Sequence, residues 1–411
     1  MKNFFFNRKA LGVVLMVLVI HLLLAYASFG PTATSELKEM PIGFLNSDEG
    51  MAGENLGLVF EKAVTGADSE MIKWINYDSL SAMHEAFESK ELYGGLILPP
   101  NLTESIFSMQ GEAPQQAMVK VILNEGMNVT GANTVQTIIA GTLNEMNQEI
   151  RNDMLGNMQN MGLLLQPEQV SVLAEPLVQQ VEKVNPVGGQ ARGQLPLIFT
   201  VLLWLGSLIG SLLIWLMLHS KDQLAARFVG TQLLSGVFLA VIQAFSTMAV
   251  VGWLMGMELV NYGYLIMFLM ITAFVFFLIQ SSVLNWLGFK GWPLLILIWL
   301  FGLPVVSLPP EFLSNFYKSA IYSWIPFRFS VEGLSSILFF DAGGNLSSML
   351  AVLAVIGAVF LLIILASYYR LKNQDLSVNP MARRFEVKEE DTQSFQEGKP
   401  GHLTHDSAGT A

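Results

Sequence analysis

Apolar positions in this chain fall into two patterns. The first is the long unbroken run. Six such runs, at roughly 10–29, 195–218, 229–256, 262–286, 292–308 and 347–369, approach the roughly 20 apolar residues a helix needs to cross a bilayer. The fifth is short and carries Pro293 and Pro304. The second pattern fills the stretch between runs one and two, where short apolar segments alternate with amphipathic ones. Strands are predicted at Pro41–Leu45, Ile72–Tyr77, Gly94–Leu98 and Met118–Leu123. Helices are predicted at about 53–65, 79–90 and 101–110, the last opened by Asn101 as N-cap with Glu104 three residues on. After Gly126 two longer helices are expected, about 128–160 and 167–183, as a stalk that returns the chain to the membrane.

These patterns predict a polytopic α-helical membrane protein with six spans in a one-plus-five layout. Residues 1–30 hold the N-terminus and first span, 31–194 an α/β domain with its helical stalk, 195–370 the remaining spans, and 371–411 a polar tail with disorder-like composition. Composition agrees, with 52% hydrophobic and 13% charged residues. The absence of cysteine excludes disulfides and thiol chemistry.

Charge sets the orientation. The 31–194 block carries 21 acidic and 8 basic residues, a net of −13; the rest is +2, which together give −11. Lys2, Arg8, Lys9, Lys221, Arg227, Lys290, Arg370, Lys372, Arg383 and Arg384 lie on one side of the runs, and only Lys318 and Arg328 in the short loops of the other. By the positive-inside rule both termini are cytoplasmic and the acidic block is external. No basic nucleic-acid footprint is present. Ala25-Tyr26-Ala27 after the first run resembles a signal-peptide cleavage site, an alternative to a retained anchor.

The stretch "FLNSDEG", residues 44–50, ends a strand in acidic residues and raises the question of a phosphate or metal loop. It has no surrounding glycine-rich loop, the chain has no Walker A pattern, and a calcium loop's further oxygen ligands are missing. The expectation is an acidic turn between strand and helix. Ile150, Met154, Met158, Met161 and Leu165 form an apolar helix face, expected to pack within the domain or on a second copy rather than to bind a soft metal. The spans hold no internal acid or lysine, which disfavours proton coupling. His21 is the one deeply placed ionisable group, expected in an interhelical hydrogen bond. No catalytic, cofactor or metal constellation is found, so the chain is not expected to be an enzyme.

Gly206 with Gly210 and Gly252 with Gly256 make two GxxxG patterns suited to close helix packing, within one chain or between two. Residues 309–340 are too polar to span and too apolar for a free loop. A surface-lying or re-entrant hairpin at an external mouth is expected there, marked by Trp324, Pro326, Arg328 and Glu332, with Arg328 and Glu332 at pairing distance along a helix.

Three stretches resemble the phage-infection-protein family (YhgE/Pip) of the type-2 ABC exporter permease superfamily: "MPIGFLNSDEGMAGENLG", "LYGGLILPPNLTESI" and "LPLIFTVLLWLGSLIGSLL". "LPPEFLSNFYKSAIYSWIPFRFSVEGL" is similar to the partly buried loop between spans five and six of such permeases. The external block is shorter than in the long phage-receptor members, and Gly333-Leu334-Ser335-Ser336 stands where that family has an arginine. The resemblance implies a permease subunit in the bacterial plasma membrane, exporting an apolar or amphipathic substrate with ATP hydrolysed by a separate subunit. It also implies a homodimer, and a coupling loop against the ATPase at Lys221, Asp222, Gln223 and Arg227. The alternative is a non-transporting surface protein that scaffolds a secretion apparatus or serves as a phage or partner attachment site.

Overall fold

The computed structural model describes residues 8–66, 69–160, 166–219 and 225–372. After helix α1 (Arg8–Ala33) the chain builds β1 (Met40–Asn46), α2 (Leu56–Thr65), β2 (Ile72–Asn76), α3 (Leu80–Glu88), β3 (Gly94–Leu98), α4 (Leu102–Ser108) and β4 (Ala117–Asn124). β1 pairs in parallel with β2 on one side and β3 on the other, and β3 pairs antiparallel with β4. The β1-to-β2 and β2-to-β3 crossovers run in opposite directions across the sheet, which by the right-handed rule for parallel crossovers puts their helices on opposite faces. Accordingly Phe60 and Val64 of α2 join the core on one face, and Met83, Ala86 and Phe87 of α3 the core on the other.

The second half of the domain departs from the expected stalk. α5 (Val129–Asn160) does form, but it lies on the sheet, with Val135, Ile139, Leu143, Met146 and Ile150 in the same core as β1 and β3. The helix expected over 167–183 stops early, as α6 (Pro167–Ala174). Leu177–Val184 is instead a fifth strand, β5, parallel to β4 in an eight-residue register. Pro176 cannot donate to a continuing helix, and Val178, Val181 and Val184 are β-branched residues that suit a strand. Their spacing of three mimics a helical face. The sheet order is β2-β1-β3-β4-β5.

The rest is a helical bundle: α7 (Leu195–His219), α8 (Ala225–Met248, continued as a π-helix over Ala249–Leu254), α9 (Tyr262–Leu287), α10 (Trp292–Ser307), α11 (Pro326–Phe339) and α12 (Leu346–Lys372). α9 is its axis, with every residue from Val275 to Ser282 buried. Trp204 of α7 sits edge-on to Phe276 of α9 and Phe327 of α11, at centroid distances of 5.2 and 4.7 Å.

Among the described residues five stretches are long and apolar enough to cross a membrane: Leu15–Ala33, Leu195–His219, Ala225–Leu254, Tyr262–Val306 and Leu346–Lys372. This is the architecture of a membrane-embedded protein with a small sheet domain. The fourth stretch holds α9 and α10, joined by a 3-10 turn at Gly288–Gly291. α10 starts beside Val283 and Leu287, and its last turn reaches the α/β domain, so it runs back along the bundle. With 16 residues it is about 24 Å long, short of a full bilayer core.

α1 leans on α10, and the Tyr317 hydroxyl donates to the Tyr26 carbonyl at 3.2 Å. His21 is not interhelical. Its Nδ1 lies 2.9 Å from the Val17 carbonyl of its own helix, and the residue is exposed.

Candidate functional site

The turn after β1 is occupied by the protein itself. In open α/β sheets, ligands bind at the carboxyl ends of strands where the strand order reverses, which here is the end of β1 and β3. The Asp48 carboxylate fills that position. Oδ2 accepts from the Gly57 amide at 3.0 Å and from the Thr103 hydroxyl; Oδ1 accepts from the Thr103 amide at 3.0 Å and the Gly50 amide at 3.4 Å. One anion thus caps two helix N-termini, α2 and α4, where the helix dipole favours it. Asn101 caps nothing with its side chain, contrary to the expected capping box; it donates to Ser105 Oγ instead. Burial would raise the Asp48 carboxyl, but the hydrogen bonds from Thr103, Gly57 and Gly50 outweigh it and hold it below its usual range. Among the described residues no group of three His, Cys, Asp or Glu is placed to hold a metal. Ile150, Met154 and Met158 are buried in the domain core, while Met161 and Leu165 lie outside the described residues.

The other concave site lies where the α/β domain meets the bundle. α3 ends in a Schellman motif, with the Lys90 amide donating to the Phe87 carbonyl and the Glu91 amide to the Ala86 carbonyl. That motif needs a left-handed residue usually supplied by glycine. Here it is Lys90, at φ +60°, a conformation that costs a side-chain-bearing residue roughly 1–2 kcal/mol. The strained residue reaches across the junction. Its ammonium donates to Ser336 Oγ at 2.7 Å and to the Glu332 carbonyl at 3.1 Å, both on α11, and sits 4.6 Å from the Phe340 ring centroid.

Three more contacts close the junction. Tyr93, at the start of β3, donates to Glu311 Oε2 at 2.8 Å. Ser335 Oγ donates to the Gly126 carbonyl at 2.7 Å, and the Lys38 amide donates to the Glu311 carbonyl. On α11, Glu332 Oε1 accepts from Arg328 Nε at 2.7 Å and from the Tyr322 hydroxyl at 3.0 Å. Arg328 lies 4.5 Å from the Tyr322 ring centroid.

Lys90, Tyr93, Glu311, Tyr322, Arg328, Glu332 and Ser335 line a cavity of about 280 Å³ with apolar walls from Val306, Leu308 and Val331. Burial lowers the Lys90 amine to about 8, partly countered by Glu332. Burial, then the nearby Glu311, pushes the Tyr93 phenol well above its usual range, so it stays a donor.

The Lys90 shift carries a sign. Between pH 8 and its ordinary value of 10.5, the amine binds more protons in the undocked or unfolded state than in the docked one. Stability must therefore rise with pH across that window. Thermal unfolding of the wild type relative to Lys90→Met is expected to shift upward from pH 8 to pH 10; a flat difference contradicts the buried contact.

Of the residues expected at an external mouth, Arg328 and Glu332 line this cavity and are ion-paired. Pro326 is buried at the first turn of α11, and Trp324 is half exposed outside the cavity, its Nε1 donating to the Ala320 carbonyl. Lys90, Tyr93 and Glu311 are additions of the structure. A lysine where a helix end calls for glycine was the readable signal for the first. The other two depend on long-range contacts.

Gly206 and Gly210 pack within the chain, whereas Gly252 and Gly256 form no helix–helix contact among the described residues. A Cβ on Gly206 would meet the Gln243 side chain, and one on Gly210 would meet Leu239, both of α8. Gly252 faces Leu259, and Gly256 is a turn at φ +66°. Lys221, Asp222 and Gln223 lie outside the described residues; Arg227 is exposed on the first turn of α8.

Unpredicted polar contacts knit the bundle. At its end away from the α/β domain, the Gln232 and Asn285 amides pair reciprocally at 2.9 and 3.2 Å, and Asn285 also donates to Ser367 Oγ at 3.0 Å, joining α8, α9 and α12. Thr200 and Ser330 hydroxyls meet at 2.7 Å, and Gln280 donates to the Trp204 carbonyl. Among the described residues, the fully buried polar side chains of the bundle are Ser, Thr, Asn, Gln and His219, with no acid, lysine or arginine.

No curated protein and no solved structure matches this chain. A family model described as "Protein of unknown function (DUF3533)" matches residues 11–363. Most of the α/β domain and bundle fall inside that match, and the chain belongs to the DUF3533 family.

Proposed function

We propose that this protein is the membrane permease subunit of an ABC-2-type exporter, moving an apolar or amphipathic substrate outward with ATP hydrolysed by a separate subunit. The observation that carries the reading is the union of a bundle core that, among the described residues, buries no acid, lysine or arginine with a cavity lined by charged side chains at its domain-bearing end. The one buried histidine of that core, His219, is spent on the Trp215 carbonyl of its own helix, so a proton relay has little to run on. Energy has to come from elsewhere, and no Walker pattern exists in the chain. The resemblance to YhgE/Pip permeases supports the same reading. In this account α10 completes a sixth crossing, both termini are cytoplasmic in a bacterial plasma membrane, and the α/β domain is external. The homodimer uses surfaces other than Gly206 and Gly210.

One observation favours the scaffold alternative. β5 is an edge strand exposed along most of its length, and an open edge is a template for a partner strand.

Affinity recovery of the detergent-solubilised protein from its own cells, with mass spectrometry, separates the two. The permease reading predicts an ATPase with a Walker motif, lost when Lys221, Asp222, Gln223 and Arg227 are all changed to alanine. Recovery of surface or secretion proteins with no ATPase overturns it. The layout has its own test, because the chain has no cysteine. Asn101→Cys is expected to react with a membrane-impermeant maleimide in intact cells, and Ser394→Cys only after lysis; the reverse pattern inverts the topology.

A further inference from the structure

The junction cavity has spare hydrogen-bonding capacity of both signs. Among the described residues Glu311 accepts through Oε2 and Glu332 through Oε1, which leaves Glu311 Oε1 and Glu332 Oε2 as carboxylate acceptors with capacity to spare. Arg328 donates, among the described residues, through Nε, leaving both Nη groups, and the Lys90 ammonium has one hydrogen beyond its two bonds. Two cations and two anions line the cavity, so its formal charge is zero.

A lone anion entering it would face two carboxylates, and a lone cation would face Lys90 and Arg328. A solute with both charges satisfies all four. The volume of about 280 Å³ is at the small end of ligand pockets, which run from roughly 300 to 1,000 Å³. The wall of Val306, Leu308 and Val331 continues into the bundle, where an attached apolar chain would lie against apolar residues.

We propose that the cavity binds a small zwitterion, an ammonium group joined to a phosphate or carboxylate, with the ammonium at Glu311 and Glu332 and the anion at Arg328 and Lys90. This rests on the permease reading for its role in transport, but the binding itself does not depend on an ATPase. The same chemistry is offered by a free zwitterionic solute and by the headgroup of an amphipathic lipid.

The test uses the purified full chain. Thermal unfolding in detergent is measured with glycerophosphoethanolamine, with glycerol 3-phosphate and with ethanolamine at equal ionic strength. The zwitterion is expected to raise the unfolding temperature, and the two half-ligands to do so at least tenfold less effectively in concentration. Glu311→Gln keeps an acceptor for Tyr93 and, measured against its own ligand-free unfolding temperature, is expected to need at least tenfold more zwitterion. A second variant, Lys90→Met, should weaken the response from the anionic side.

Nanodiscs of phosphatidylethanolamine against phosphatidylglycerol distinguish the sources. Stabilisation by the former supports a headgroup; a response to soluble glycerophosphoethanolamine alone supports a free solute. Equal responses to glycerol 3-phosphate and the zwitterion, or no response in any arm, overturn the proposal. If that occurs while the Walker ATPase is still recovered, the permease reading stands and only the substrate class falls.

Discussion

Asp48→Ala is expected to unfold the α/β domain while leaving the helical bundle able to insert. The substitution strands the Gly57, Gly50 and Thr103 amides and removes the partner of the Thr103 hydroxyl. Each buried unsatisfied group costs about 1–3 kcal/mol, so the total is on the order of 4 kcal/mol even with water replacing some contacts. That is a large share of the roughly 5–15 kcal/mol by which a domain is stable. Limited proteolysis in membranes should cut within residues 40–125 in the variant and spare the wild type.

Asp48→Asn is the informative control. One amide oxygen can still accept, but the other position becomes a donor facing donors. Acid should mimic the lesion. The carboxyl sits below its usual value in the folded domain, so its stabilising share is complete above the ordinary carboxylate range and is lost as pH falls through the folded value. Wild-type domain stability should fall on acidification more steeply than that of Asp48→Asn. Parallel pH curves contradict the role given to this carboxylate.

Trp204→Ala is expected to have the second large effect, in the bundle. The side chain is fully buried and joins three helices through Phe276 and Phe327. Large aromatic deletions in packed cores cost about 3–5 kcal/mol. Within a membrane such packing, rather than water exclusion, holds helices together, so the void is not relieved by lipid. α11 depends on it most, because Phe327 is its anchor against α7 and α9, and α11 carries Arg328, Glu332 and Ser335 of the junction cavity and the Ser336 partner of Lys90. The variant should therefore unfold several degrees lower in detergent and also lose the Lys90 contact. Loss of stability with an unaltered wild-type-minus-Lys90→Met pH difference contradicts that coupling.

What the sequence shows and what it hides divide along physical lines. The apolar runs place α7, α8, α9 and α12 to within a few residues, since the bilayer length requirement leaves little freedom. Four of the five strands were legible from short apolar segments bounded by turn residues. β5 was not, because Val178, Val181 and Val184 repeat with a helical spacing, and only pairing with β4 makes that segment a strand. The acidic turn was read as structural, but not that Asp48 would cap α4, 55 residues away.

Local spacing also anticipated the Arg328–Glu332 pair on α11. It could not anticipate that Lys90 and Tyr93 would meet this segment, since those contacts span more than 200 residues. Small residues four apart in α7 signalled close packing correctly, but the signal carries no information about whether the neighbour belongs to the same chain.

The permease reading requires a separate ATPase. Vanadate-sensitive ATP hydrolysis by the affinity-purified sample in nanodiscs is the measurement, because the chain has no Walker A pattern of its own. The account predicts a rate well above a mock purification, falling to the mock level when Lys221, Asp222, Gln223 and Arg227 are all changed to alanine. Hydrolysis no higher than the mock in the wild-type sample, with the protein intact and folded, would contradict it.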